Sequence, residues 1–417
     1  MLIVWTGAFF LFFALPFELT SRSFSWRGFG VLLLFLSSFC FGASLKTLRL
    51  PHRTQDLEVH LSFVRFDFFL KIISMIAIVV FTVEIFQSNS LNLSDAYANR
   101  SSQAQALLHG GMSNSSIWFK IGFLIYPASY IYVAKELIFT QKIKLITFAA
   151  FGLLPGILSA VAMGGRATMF NIIAYSIIAY SVRNKRFPKV KSSNNSKSSK
   201  FKFFCALILI VTAFVYFVNV FNQRAEFSGG AIGMLDVIGT IWGVKFSGPL
   251  FDIAMEIFGA PFVFIIFVFS WYLLQGLVMS NYLLAYYDGS ALLGVYGLDL
   301  VSAVARRFKP DWVSENFNYL LSMDTYGFLP SAFGTLFVDF KYFGLFVAMV
   351  WGWIVGLVYL RVKTSNDPRW LLCIPFVVFG ILFSLINTPL GYSNGLMTHF
   401  WLMTGFFLVR KYDCRTI

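Results

Sequence analysis

The sequence contains few charged residues. They make up 12% of the 417 residues, well below the ~25% that is typical of soluble domains. Hydrophobic residues make up 58% and include 51 phenylalanines, and the mean hydropathy is +0.73. Such a chain cannot cover its surface with polar groups in water. The composition therefore excludes cytosolic enzymes and disordered scaffolds and predicts a membrane protein.

Cysteines and the common catalytic motifs are also scarce. The four cysteines have no metal-ligand spacing, and three of them lie inside apolar runs, so we expect neither a metal site nor a disulfide framework. There is no GxSxG elbow, HExxH helix or Walker loop, and no Asp-x-Asp on the side predicted to be outside. We therefore expect no cofactor and no metal. Lys and Arg form short clusters between apolar runs and not a basic stripe, which argues against a nucleic-acid partner.

Apolar runs of about 20 residues, the length that crosses a bilayer as a helix, recur along the whole chain. We predict an all-α polytopic membrane protein with eleven transmembrane helices, or twelve if 234–253 also crosses. The first run has neither a basic leader nor a cleavage site, so we expect it to be retained as a span. The eleven runs lie near 2–19, 29–45, 70–87, 117–134, 145–163, 168–182, 203–221, 259–283, 342–360, 370–388 and 397–409.

The basic residues predict which side of the membrane each loop faces. Of the 33 Lys and Arg residues, 22 lie in five segments on one side of the predicted spans. By the positive-inside rule this side is the cytoplasm, where we also expect both termini. The alternation of sides requires 231–283 to cross twice or to contain a re-entrant segment. The five basic segments are 46–71, 135–144, 183–202, 361–369 and 410–415.

The same pattern divides the chain into three parts. Residues 1–186 form an N-terminal transmembrane half with an outer loop at 87–116. Residues 187–202 are rich in Ser, Asn and Lys and are expected to be a disordered cytoplasmic linker. Residues 203–417 form a C-terminal transmembrane half with a larger outer loop at 285–331. This second loop is too aromatic to be disordered, so we expect it to fold as short helices.

Arginines beside spans on the outer side are exceptions to the positive-inside rule and are candidates for binding an anion. Arg166 follows Gly164 and Gly165 and opens a predicted helix, whose free backbone N–H groups also attract an anion. Its alternative role is that of an interface anchor. Arg224 lies just beyond another span, with Glu226 two residues further on, and its alternative role is a local ion pair. Two arginines at the same depth would grip one diphosphate through bidentate hydrogen bonds.

The second outer loop carries a further basic cluster. Arg306, Arg307 and Lys309 lie close together in the sequence and would either guide an anionic lipid or face phospholipid headgroups. The aromatic residues of this loop, Tyr326 among them, would hold sugar rings.

One acidic residue and two histidines complete the candidates. Asp339 and Lys341 are expected at the outer edge of the span 342–360, where an acid is a functional candidate. The alternative is a salt bridge from Asp339 to Lys341 or to an arginine. His109 and His399 are the histidines on the outer side, and either would serve as a general base, although a lone histidine more often has a structural role.

Two of these stretches resemble the O-antigen polymerase (Wzy) family of bacterial inner-membrane proteins. One is the Gly164-Gly165-Arg166 turn between two spans. The other is LPSAFGTLFVDFKYFGLFVAMVWGWIVGLVYLR, in which Asp339 precedes a glycine-rich span. The resemblance implies a fold like that of the GT-C glycosyltransferases, a location in the bacterial inner membrane and periplasmic outer loops. It also implies a metal-independent glycosyltransferase that joins polyprenyl-diphosphate-linked oligosaccharide repeats. Membrane lipids and a chain-length regulator protein are the further partners expected.

This interpretation assigns a role to each candidate. A base would free the acceptor hydroxyl, and arginines would stabilise the departing diphosphate. Two alternatives stay open: an O-antigen ligase that uses the same donor, and a non-enzymatic flippase or transporter. A transporter would have charged residues along a central cavity, whereas the predicted spans have nearly uncharged interiors. The catalytic candidates are Asp339, His109 and Glu226, and the substrate-binding candidates are Arg166, Arg224, Arg306, Arg307, Gly164, Gly165 and Tyr326.

The predicted orientation can be tested by labelling. A cysteine introduced at Asn195 should be shielded from an impermeant thiol reagent in intact cells, because the linker is expected in the cytoplasm. A cysteine introduced at Ser101, in the first outer loop, should react. Labelling before and after permeabilisation measures both, and the reverse pattern would contradict the orientation.

Overall fold

The residues that the structure describes fold largely into helices. The computed structural model describes residues 1–20, 23–47, 59–88, 116–163, 167–186, 229–241, 243–325, 329–365 and 367–413, together with single positions between 215 and 226. The helices of the N-terminal part are α1 (Leu2–Ala14), α2 (Trp26–Thr47), α3 (Val64–Ser88), α4 (Ile117–Ile125), α5 (Ala128–Phe139), α6 (Leu145–Phe148), α7 (Leu154–Met163) and α8 (Ala167–Arg186), with a π-helical turn at Ala149–Leu153.

The C-terminal part continues in the same way. Its helices are α9 (Gly230–Ile241), α10 (Pro249–Phe258), α11 (Ala260–Tyr286), α12 (Asp299–Phe308), α13 (Pro310–Ser322), α14 (Ser331–Phe340), α15 (Gly344–Thr364), α16 (Trp370–Leu382) and α17 (Gly395–Leu408). Short 3₁₀ turns follow α14 and α16. Four short strands, β1 (Phe17–Leu19), β2 (Val59–Ser62), β3 (Val244–Phe246) and β4 (Arg410–Asp413), form the antiparallel pairs β1–β3 and β2–β4.

Within the described residues, six helical segments are long and apolar enough to cross a membrane. By length and composition the chain is therefore a multi-pass membrane protein, as its sequence predicts. The predicted total of eleven or twelve spans stays a prediction. Shorter apolar helices occur at Leu2–Ala14, Gly230–Thr240, Trp370–Leu385 and Gly395–Leu408. The six long segments are Trp26–Leu45, Val64–Ser88, Ile117–Phe139, Leu145–Met163, Ala260–Tyr286 and Ser331–Thr364.

Two predicted spans differ from the structure. The run 2–19 is not one helix, because α1 ends at Ala14 ahead of Pro16, and proline disfavours helix in the residue before it. Residues 17–19 instead form β1. The doubtful run 234–253 is divided between α9, β3 and α10, and the two helices have only 12 and 10 residues. Each is shorter than the ~20 residues that a straight crossing needs.

The second outer loop is folded, as its aromatic content predicts, and its helices are α12 and α13. The structure adds a helix that the sequence analysis does not resolve, since 332–341 was assigned neither to the loop nor to the span 342–360. These residues belong largely to α14, which is almost completely buried. The linker 187–202 and most of the first outer loop, 89–115, lie outside the described residues.

The contacts group the chain into two compact units. The larger unit contains Met1–Phe9, Phe24–Val182 and Leu273–Ile417, and the smaller unit contains Phe10–Ser23 and Arg183–Tyr272. The aromatic core of the larger unit lies among α3, α5, α8, α16 and α17. In the smaller unit, β1 pairs with β3 so that Glu18 lies opposite Lys245, and their side chains form an ion pair of 3.4 Å.

Helices α2 and α15 of the larger unit approach each other most closely at three glycines. A Cβ atom at Gly42 would lie 1.9 Å from the Met349 carbonyl oxygen, and one at Gly352 would lie 1.9 Å from that of Phe39. At Gly356 the corresponding distance to the Ala43 oxygen is 2.3 Å. Small residues let membrane helices approach at backbone distance, where van der Waals packing replaces the missing hydrophobic drive.

Charged residues at the ends of α3 and α5 form a paired network. Lys135 of α5 is 4% exposed and bonds to Asp67 of α3 and, at 2.5 Å, to Glu136. Asp67 also pairs with Lys71 at 2.5 Å. Because Asp67 and Lys71 belong to the first turns of α3, and Lys135 and Glu136 to the last turns of α5, the network joins one end of each helix. Pairing of this kind is how charges inside spans are normally accommodated.

The glycine contact between α2 and α15 predicts a stability effect. Gly352→Ala should lower the melting temperature of the purified protein in detergent, because the backbones must separate, at a cost of about 1–3 kcal/mol. Gly30→Ala is the matched control on α2, since nothing lies within 4 Å of a Cβ at Gly30. Equal melting temperatures for the two variants would contradict this account of the packing.

Candidate functional site

Asp339 holds a loop against the end of α14. The residue is 2% exposed, and its carboxylate accepts the backbone N–H of Tyr296 at 2.9 Å and that of Gly297 at 2.9 Å. Its own carbonyl oxygen accepts the N–H of Leu293 at 2.8 Å. Hydrogen bonds to an ionised group are roughly twice as strong as neutral ones. Asp339 therefore fixes the loop 292–297 that leads into α12.

Gly297 makes this arrangement possible. A Cβ at this position would lie 2.7 Å from Asp339 Oδ2 and 2.4 Å from Thr335 Cγ2, so a larger residue would displace the carboxylate. On its other side, the Gly297 carbonyl oxygen lies 2.1 Å from where a Cβ of Gly391 would be. The loop held by Asp339 thus contacts the segment 387–394, which connects α16 and α17.

The segment 387–394 has a specific, hydrogen-bonded backbone. Thr388 Oγ1 accepts the N–H of Gly391 at 3.0 Å, and Asn394 has a left-handed φ of 61°. The Asn394 side-chain amide donates to the carbonyl oxygen of Phe123 in α4. The Tyr126 hydroxyl donates to the Ser393 carbonyl oxygen at 3.4 Å. The segment therefore contacts the junction between α4 and α5.

A group of buried polar side chains extends from Tyr126 to the first turns of α8. The Tyr126 hydroxyl interacts with the side chains of Tyr130 and Thr168, and Tyr130 lies beside Asn171. We name these four residues the interior polar cluster. All four are at most 2% exposed. Among the residues that the structure describes, the Tyr130 hydroxyl and the Asn171 amide oxygen have no partner within hydrogen-bond geometry. A buried polar atom without a well-formed hydrogen bond is costly.

These contacts lead from one stretch that carries the family resemblance to the helix that follows the other stretch in the sequence. Within the larger unit they lead from Asp339 through Gly297 and the segment 387–394 to Tyr126, and from there to Thr168. Thr168 stands two residues after Arg166 in the sequence. The start of α8 and the end of α14 therefore belong to one connected set of contacts, although about 170 residues separate them in the sequence.

Lys341 does not form the salt bridge considered as the alternative role of Asp339. Its ammonium group donates to the Tyr287 carbonyl oxygen at 3.0 Å and lies 3.6 Å from the centre of the Tyr287 ring. The reason is local, because the left-handed backbone of Lys341, with φ 50°, ends α14 and turns the side chain toward the loop. Lys341 thus anchors the start of the loop whose end Asp339 holds.

Helix α13 is attached to the same loop by polar contacts. The Tyr319 hydroxyl donates to Asp288, and this hydrogen bond lowers the pKa of the Asp288 carboxyl. Ser290 Oγ lies 2.7 Å from Asn316 Oδ1. The aromatic residues of the second outer loop are thus used in part for its own packing.

The basic pair in α12 does not act as one patch. Arg306 is 8% exposed, and its guanidinium carbon lies 4.9 Å from the centre of the Phe317 ring in α13. Arg307 is exposed. Successive residues of a helix point about 100° apart, so neighbours in the sequence face different surroundings.

The other sequence candidates have varied positions. Glu226 is exposed and belongs to the smaller unit. His399 is half-buried in α17, with Nδ1 2.8 Å from the Gly395 carbonyl oxygen. Gly164, Gly165, Arg166, Arg224, His109 and Tyr326 lie outside the described residues, and their roles stay predictions. Among the residues that the structure describes, no group of three His, Cys, Asp or Glu side chains could hold a metal.

Sequence analysis missed the interior polar cluster. Tyr126 and Tyr130 are four residues apart around the start of α5, and Thr168 and Asn171 are three apart in the first turns of α8. Residues at these spacings lie on the same side of a helix. The spacing of these polar residues is visible in the sequence and could have revealed the two pairs. Their contact with each other could not be predicted from the sequence, because it depends on how α5 and α8 pack.

In comparisons with protein-family models, curated proteins and solved structures, no match to this chain was found.

The role of Asp339 predicts a measurable change in the loop. In Asp339→Asn one oxygen is replaced by an NH₂ group that opposes a backbone N–H, and an unsatisfied buried group costs about 1–3 kcal/mol. Hydrogen exchange of the 292–297 amides should accelerate and the melting temperature should fall. Asp311→Asn, at an exposed acid in the first turn of α13, is the control. Unchanged exchange at 292–297 would refute the holding role.

Proposed function

We propose that the chain polymerises polyprenyl-diphosphate-linked oligosaccharide repeat units at the periplasmic face of the bacterial inner membrane, to make O-antigen or a similar surface polysaccharide. It is a metal-independent glycosyltransferase with a GT-C-like fold, eleven or twelve spans and both termini in the cytoplasm. The observation that carries the proposal is the connected set of contacts from Asp339 to Thr168. It starts in one stretch that resembles the O-antigen polymerase family and ends two residues after the other in the sequence.

In this proposal the start of α8 receives the diphosphate of the donor. Arg166 precedes the helix directly, and the first N–H groups of a helix attract an anion. Arg224 supplies a second guanidinium. Both stabilise the negative charge that builds on the diphosphate as it leaves, which is the largest single contribution in many enzymes. The polyprenyl chain stays in the bilayer throughout.

The transfer itself needs one base. A hydroxyl oxygen of the acceptor sugar attacks the anomeric carbon of the donor, and the bond from that carbon to the diphosphate oxygen breaks. The diphosphate leaves with the bonding electrons, and the hydroxyl proton passes to His109 or Glu226. Asp339 is less suited to this role, since both of its oxygens already accept backbone N–H groups. We assign it to positioning the loop 292–297, near which the acceptor binds.

The interior polar cluster supports a carbohydrate substrate in particular. Its hydroxyl and amide groups are uncharged, and Tyr130 and Tyr175 add aromatic rings with centres 5.3 Å apart. Sugars are bound through hydrogen bonds to their hydroxyl groups and through contact with aromatic faces. Tyr326 and Arg306 are further substrate contacts in this proposal, and a chain-length regulator protein is a further partner.

A gel ladder of surface polysaccharide tests the function. Deletion of the gene should reduce the polysaccharide to one repeat per lipid anchor. Arg166→Ala and Arg224→Ala should do the same at normal protein abundance, because losing a preorganised stabiliser slows turnover by about 10²- to 10³-fold. Arg166→Lys should also fail, since lysine keeps the charge but loses the planar fork.

The control is Arg361→Ala, an exposed arginine in the last turn of α15, which should leave the ladder unchanged. Each other outcome rejects a different part of the proposal. Complete loss of attached repeats on deletion would indicate a ligase that uses the same donor. Unchanged long chains on deletion would reject the polymerase. Normal ladders with Arg166→Lys and Arg224→Lys would reject the bidentate diphosphate site.

A further inference from the structure

Helix α12 begins at the level where two long apolar helices end. Asp339 fixes the loop that enters α12, and only four residues separate Asp339 from the start of α15. The preceding part of the same loop starts where α11 ends, at Tyr286. Tyr286 and Tyr342 at these helix ends are 52% and 53% exposed. Exposed tyrosines at the ends of apolar helices are typical of the membrane–water interface.

Helix α12 has two different faces. Arg306 and Val301 are buried or half-buried, and Arg306 packs on Phe317 of α13. On the other face, Val304 is 52% exposed and Phe308 is 78% exposed. Residues four apart lie on the same side of a helix, so these two apolar side chains form one exposed surface.

Cations border this exposed apolar surface. Arg307 lies between Val304 and Phe308 along the same side, and Lys309 follows Phe308; both cations are exposed. Leu293, in the loop held by Asp339, is also 69% exposed. An apolar surface bordered by Arg and Lys is the pattern of helices that lie in the plane of a membrane interface. The apolar side chains enter the acyl boundary while the cations meet anionic headgroups.

We propose that the surface formed by Val304, Arg307, Phe308 and Lys309 lies on the bilayer and binds anionic phospholipid headgroups. The occupant is the bulk lipid of the membrane, because exposed apolar side chains and cations complement its two layers. Binding there would hold α12, and through Asp339 the loop 292–297, at a constant depth. The inference does not depend on the reaction proposed above.

Photo-crosslinking identifies what contacts this surface. The full-length protein carries p-benzoylphenylalanine in place of Phe308, in vesicles of phosphatidylcholine with or without 25% phosphatidylglycerol, roughly the content expected to create a negative surface potential. Illumination should yield phospholipid adducts, read by mass spectrometry of the tryptic peptide. The same amino acid in place of Asn318, an exposed polar position of α13, is the control and should yield few or none.

We expect Arg307 and Lys309 to make this surface selective for anionic lipids. In the mixed vesicles, adducts at 308 should be enriched in phosphatidylglycerol over its bulk share. A double variant of Arg307→Gln and Lys309→Gln should reduce that enrichment, by up to roughly fivefold per charge, and 1 M salt should reduce it as well. A double variant of Lys142→Gln and Lys144→Gln, which removes the same net charge elsewhere, should retain the enrichment.

Three results would overturn the proposal. The first is as few lipid adducts at 308 as at 318. The second is adducts mainly with another copy of the chain, which would make the surface a protein interface. The third is equal loss of phosphatidylglycerol enrichment in both charge variants, which would assign the effect to overall charge. Because the product is a lipid adduct and not a polysaccharide ladder, each result is independent of the test of the polymerase.

Discussion

The buried carboxylate of Asp339 is the constraint on which the described site depends. A buried charged group must form hydrogen bonds that replace those it made with water. Here the Asp339 carboxylate accepts two hydrogen bonds from backbone N–H groups of one loop. The loop cannot move without exposing or orphaning the carboxylate. Helices α12 and α13 follow that loop in sequence, and Lys341 anchors its beginning on Tyr287. One acid and one cation thereby order a connection whose Leu292 and Val295 are themselves buried.

The rest of the larger unit is held together differently. Helices of a membrane protein gain little from the hydrophobic effect, so close packing and buried hydrogen bonds must bring them together. Gly42, Gly352 and Gly356 let α2 and α15 approach at backbone distance. Between α3 and α5 the joining contact is ionic, through Lys135 and Asp67. Near α8 the joining contacts are made by hydroxyl and amide side chains.

Some of these contacts serve stability, whereas the interior polar cluster is a candidate for function. Glycine contacts and paired charges use all of their interacting atoms and leave nothing for a ligand. The interior polar cluster differs, since among the described residues the Tyr130 hydroxyl and the Asn171 amide oxygen have no partner within hydrogen-bond geometry. A place that costs free energy in the ligand-free protein, and that lies next to the turn carrying Arg166 in the sequence, is where a polar substrate would gain most. This is why the proposed chemistry is centred on α8, whereas the exposed cations Arg307 and Lys309 are assigned to the membrane surface.

The sequence alone determined the membrane class, the approximate positions of the described long helices and the singling out of Asp339, because composition and run length act locally. It also predicted that the second outer loop folds. Only the tertiary structure decided that Lys341 turns away from Asp339, that Arg306 and Arg307 face different surroundings, and that Tyr126 meets Thr168. The physical reason is that a carboxylate or a guanidinium has the same sequence signal whatever its partner. The partner is chosen by helix packing, between residues that are tens to hundreds of positions apart.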